Sequence, residues 1–104
     1  MTEVKLKSGR KVQIRLLTVD QVDDLKDIPE IYFIGEKEKT IRHTNKAKTA
    51  WLRAGIGGGD FKGWKPNGVA PPDDILRQLS EVERDELVIE IQKAQILDQK
   101  VPSN

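Results

Sequence analysis

The chain has 104 residues, 37% of them hydrophobic, 34% charged and 5% aromatic, with no cysteine. That size allows one domain with one core, built mainly from Leu, Ile and Val. The missing thiols exclude disulfides and thiolate metal sites, and no stretch approaches the ~20 apolar residues needed to cross a bilayer. The net charge of +1 conceals blocks. Residues 1–17 sum to +4, residues 18–36 to −5, residues 37–65 to +6 and residues 66–104 to −4.

The first segment predicts a β-hairpin. Val4 and Leu6 alternate with lysines, and Val12, Ile14 and Leu16 alternate with Lys11, Gln13 and Arg15. A three-residue loop at Ser8–Arg10 would set Leu6 opposite Val12 and Val4 opposite Ile14, leaving one face wholly apolar. Thr18, with Gln21 three residues later, forms a capping-box signal for a helix with an apolar stripe of Val19, Val22 and Leu25. Pro29 should end that helix near Ile28. Ile31–Ile34 fits either a strand or the start of a helix. Residues 36–54 turn polar and basic, and a helix is expected over their second half, where Ala47, Ala50, Trp51 and Ala54 recur at helical spacing. Gly55 would cap its C-terminus.

Residues 55–72 hold six glycines and three prolines and predict an irregular connector that Phe61 and Trp64 anchor. Asp73 or Asp74 should open a short helix through Leu79. Ser80 and Glu83 form a second capping box for a long helix reaching about Gln99. Val82, Leu87, Val88, Ile91, Ala94 and Leu97 make its broad apolar face, with Ile89 and Ile96 on another side. Residues 100–104 should fray. The fold class expected is therefore α+β: a single domain, 1–104, with an N-terminal hairpin packed on three to four helices, the last one long.

Catalytic chemistry finds little to work with. The one histidine, His43, sits among Lys and Arg, and the carboxylate pairs Asp23–Asp24 and Asp73–Asp74 diverge by about 100° on a helix. No metal-ligand spacing occurs, and the glycines at 55–59 lack the Gly-Lys-Ser/Thr of a phosphate loop. No catalytic residue, cofactor or metal is therefore expected. Two binding surfaces stand out. One is an apolar strip for protein partners on the last helix: Val82, Ile89, Ile96 and Leu97. The other is a basic, aromatic set for nucleic acid or another partner: Arg42, Lys46, Trp51, Arg53, Lys62 and Trp64.

The order of features resembles the tail assembly chaperones of long-tailed bacteriophages. The opening Val4-x-Leu6-x-Ser8-Gly9-Arg10-x-Val12-x-Ile14-x-x-Leu17-Thr18-Val19-x-Gln21-Val22 looks like their basic hairpin leading into Leu-Thr and a helix. Phe61-x-Gly63-Trp64, Asn67-Gly68, Pro71-Pro72, Ile75, Leu79, Glu86-Leu87-Val88 and Ile91 look like their connector and closing helices. The basic stretch Lys37–Arg53 has no counterpart in that pattern. The resemblance implies a non-enzymatic cytoplasmic factor of the bacterial host cell. Such a factor coats the tape-measure protein, helps tail-tube subunits polymerise, self-associates and leaves the finished virion. A nucleic-acid-binding or host-takeover regulator using residues 37–65 is one alternative, and a structural head–tail or tail component is another.

Overall fold

The computed structural model describes residues 2–28, 31–34, 39–42, 45–66 and 68–99; for 31–34, 39–42 and 97–99 it describes the backbone alone. The predicted tail, 100–104, and His43 lie outside the described residues. The chain is α+β. In order it forms β1 (Thr2–Lys5), β2 (Lys11–Ile14), α1 (Val19–Lys26), β3 (Ile31–Ile34), β4 (Lys39–Arg42), α2 (Asn45–Gly55), β5 (Ile56–Gly59), α3 (Asp73–Leu76) and α4 (Glu81–Gln99).

The hairpin forms with the predicted face but a different turn. Val4 pairs with Val12 and Thr2 with Ile14, so the loop is Lys7-Ser8-Gly9 rather than Ser8-Gly9-Arg10. The amide of Gly9 donates to the carbonyl of Leu6, and the amide of Leu6 to that of Arg10, each at 2.8 Å. Gly9 has φ +98°, which suits the last position of a three-residue loop and strains any other residue. Moving the loop by one residue shifts the pairing by two, so the same side chains still face inward. Leu6, Val12 and Ile14 are buried, but the alternation stops there: β2 ends at Ile14, Leu16 is exposed and Leu17 turns in.

The glycine-rich segment corrects the expectation of an irregular connector from residue 55. Ile56–Gly59 is a strand, β5, pairing antiparallel with β2 at the edge of a β1-β2-β5 sheet. The register slips between Gln13 and Ile14, and Ile56 lands opposite Ile14. Nor does Gly55 act as a C-cap, because α2 runs into β5 without a loop. Gly55 is there for space: a Cβ would lie 2.6 Å from Cγ2 of buried Ile91. A second sheet, β3 with β4, settles Ile31–Ile34 as a strand, antiparallel to β4 with Ile31 opposite Arg42.

Both capping boxes form. The Gln21 amide donates to Thr18 Oγ1, and the Thr18 amide to Gln21 Oε1. Helix α1 ends at Lys26, earlier than Pro29 requires, and Val19 is exposed, leaving Val22 and Leu25 to pack inward. Helix α3 is a single turn, opened by Asp73 with Pro72 in the cap position and no side-chain cap. One contiguous core joins Val12, Ile14 and Ile56 of the sheet to Trp51, Leu52, Leu87, Val88 and Ile91 of α2 and α4.

Candidate functional site

Helix α4 is fixed by polar ties at both ends of its buried side. At its start the Glu83 amide donates to Ser80 Oγ, and Glu83 Oε1 accepts from the Ser80 amide at 2.9 Å. Glu83 Oε2 accepts from Ser8 Oγ at 2.7 Å and from Arg10 Nε at 2.9 Å. The carboxylate thus joins the helix cap to the hairpin turn. Arg10 spends its remaining nitrogens on the carbonyls of Asp60 and Gln78 and lies 5.2 Å from the Phe61 ring centroid. Burial pushes Glu83 upward, but the Ser80 amide, Arg10 and Ser8 outweigh it and hold its pKa at about 2. Towards the other end, the amide of buried Gln95 donates to the carbonyl of Arg15, and its carbonyl accepts from the Leu17 amide, each at 2.8 Å.

With Leu87, Val88 and Ile91 inside, the opposite side of α4 faces solvent. Val82, Ile89 and Ile96 lie there, 70%, 49% and 49% exposed. The sequence reading counted Val82 both in the broad apolar face and in the partner strip; its exposure places it with the strip. Spaced by seven, the three drift only about 20° per heptad and form one stripe along the helix. Asp85 and Gln92 border one side, Glu86 and Lys93 the other. Soluble surfaces often expose single apolar residues, but these three are aligned along one side of a packed helix. Leu97, assigned to the same surface from sequence, has no described side chain.

Two members of the basic set, Trp51 and Arg53, are engaged within the fold. Trp51 is 2% exposed and belongs to the core, because its 3–4 spacing with Ala47 and Ala54 places it on the inner face of α2. Arg53 donates to the Pro71 carbonyl and forms an ion pair with Asp73, holding α3 to α2. Trp64 is half-buried and meets Phe61 edge-on, at 5.7 Å between centroids. Lys46 and Lys62 are exposed, and Arg42 lies in β4 with its side chain undescribed. The glycine cluster cannot cradle a phosphate, since Gly58 and Gly59 are paired with β2.

A cleft of about 180 Å³ opens between α2, α3 and α4, lined by Thr49, Asp73, Leu76, Arg77 and Arg84. Arg77 pairs with Asp74 and Asp73 with Arg53, whereas Arg84 donates only to the neutral Thr49 hydroxyl and keeps a buried Nε without a hydrogen-bond partner among the described residues. Among the described residues no three of His, Cys, Asp or Glu gather as a metal set, and no helix is long and apolar enough to cross a membrane.

Sequence reasoning missed Arg10 and Gln95, and it read Glu83 only as a cap. Gln95 had a signal, because a polar residue one turn beyond Ile91 sits on the buried face and must find a partner there. Compared with family models, curated proteins and solved structures, the chain matches none.

Proposed function

We propose that the chain is a non-enzymatic assembly factor that works by binding proteins. Its kind is that of the tail assembly chaperones of long-tailed phages, acting in the cytoplasm of the bacterial host on tape-measure and tail-tube proteins. The observation that carries this reading is the apolar stripe Val82–Ile89–Ile96 on the solvent side of α4. A stripe of this kind suits helix-to-helix recognition, and the resemblance of the hairpin, connector and closing helices supplies the biological setting. The basic segment gives the nucleic-acid alternative less support, since Trp51 lies in the core and Arg53 is engaged by the Pro71 carbonyl and Asp73.

Co-expression with the tape-measure protein encoded in the same genome tests the reading. The tape-measure protein should stay soluble and co-purify with the tagged chain. A tape-measure protein that is equally insoluble with and without the chain, and never co-purifies, would rule the proposal out.

A further inference from the structure

The stripe on α4 has a charge pattern that selects its occupant. We infer that it is covered by the same stripe of a second copy, the two α4 helices running antiparallel about a two-fold axis through Ile89. In that arrangement Val82 meets Ile96 of the second copy, and Ile89 meets itself. Along one border Glu86 then comes level with Lys93 of the second copy, and Lys93 with its Glu86, giving two opposite-charge pairs. Along the other border Asp85 faces Gln92, which adds no like-charge contact.

The parallel arrangement is selected against. It would give neither Glu86–Lys93 pair, and would set Asp85, whose carboxylate is already held by Lys48 Nζ at 2.6 Å, beside Glu86 of the second copy on both borders. The side chains are placed for the antiparallel form: Lys93 is 64% exposed and only 3.8 Å from Glu90, a loose pair it can leave. Glu86 is half-buried, its carboxylate steadied by the Lys7 amide at 3.2 Å. A three-residue seam is narrower than the roughly 1,200 Å² at which stable interfaces begin. The dimer is therefore weak and reversible, with a dissociation constant on the order of 10–100 µM.

The inference concerns the purified chain alone, where no partner helix competes for the stripe and displaces the second copy, so its failure and that of the tail-assembly reading are separately visible. Sedimentation equilibrium from roughly 10 µM to 1 mM should show a monomer–dimer equilibrium. Ile89→Lys, which sets two ammonium groups on the axis, and Lys93→Glu should each weaken it by about tenfold or more. Glu86→Lys alone should weaken it similarly, while an equimolar mixture of Glu86→Lys with Lys93→Glu should restore dimerisation, because every border pair is then of opposite sign. Circular dichroism checks that each variant is folded. Direction is read by cross-linking, since the chain has no cysteine. Val82→Cys and Ile96→Cys, mixed and oxidised, should give the covalent heterodimer. A wild-type monomer across the whole range, failure of the charge mixture to restore the dimer, or a Val82→Cys homodimer in place of the mixed species would overturn the inference.

Discussion

Replacing Glu83 by Gln keeps shape and volume while removing the charge that joins hairpin turn, helix cap and connector. Wild-type Glu83 accepts hydrogen bonds through both oxygens, from the Ser80 amide on one side and from Ser8 and Arg10 on the other. A glutamine has one acceptor, so its NH2 must face a donor, and Arg10 loses its counter-charge. The carboxyl is held at about 2 in the fold against 4.5 for an ordinary Glu, which converts to an upper bound of roughly 3 kcal/mol. The side chain is 9% exposed but lies under a hairpin loop at the surface, and solvent screening lowers the net effect to about 2 kcal/mol.

The sign follows from the direction of the shift. A depressed pKa stabilises the fold in full above the unfolded value of 4.5, and that stability is lost as pH falls towards 2. Urea unfolding of wild type and Glu83→Gln, followed by circular dichroism at steps from pH 7 to pH 2, gives the difference curve. It should be about 2 kcal/mol at pH 7 and should shrink below pH 4.5. A difference that stays constant with pH, or lies within 0.5 kcal/mol of zero at neutrality, would refute the assignment of Glu83 as the charged keystone of the hairpin–helix junction.

Four further substitutions, at three positions, probe the core. Gly55→Ala raises helix propensity, yet its methyl meets Ile91, which is fully buried and cannot step aside; a loss of about 1–3 kcal/mol in thermal unfolding is expected instead of the usual gain. Gln95→Met fills the same volume but strands the Leu17 amide and the Arg15 carbonyl, for a loss of about 1–3 kcal/mol by urea titration. Trp51 buries an indole N–H with no acceptor, so Trp51→Phe removes an unmet donor and should cost less than about 1 kcal/mol. Trp51→Ala, by contrast, leaves a cavity worth about 3–5 kcal/mol.

What the sequence revealed was local. Thr18 and Ser80 announced both helix starts because a capping box is written within four residues, and the hairpin's inner face followed from its period of two. That same period hid the turn. Shifting the loop by one residue moves the pairing by two and leaves the apolar face unchanged, and only the need for a glycine at positive φ distinguishes the alternatives. Strand β5 left no trace, because Gly57, Gly58 and Gly59 carry no hydrophobic signal and the β2 partners of Gly58 and Gly59 lie more than forty residues earlier. The stripe at Ile89 and Ile96 was legible as apolar residues off the main face. Val82 was assigned to both faces, because one residue at the first turn of a helix fits either until the packing fixes the rotation. Trp51 and Arg53 looked like surface chemistry by composition alone; their partners, the core and Asp73, are not local in sequence.

The polar ties of α4 also set an order of events during synthesis. Leu17 and Gln95 are 78 residues apart in the chain, Lys7 and Glu86 79, and Arg10 and Glu83 73. At roughly 5–20 residues per second, the hairpin waits about 4–16 s on the ribosome before the helix that covers it has been made. Throughout that interval Leu6, Val12 and Ile14 have no helix α4 to lie against, and the basic outer face of the hairpin is what keeps such a nascent edge from pairing with its neighbours. The lysines at 5, 7 and 11 thus protect a folding intermediate as much as they decorate the finished surface.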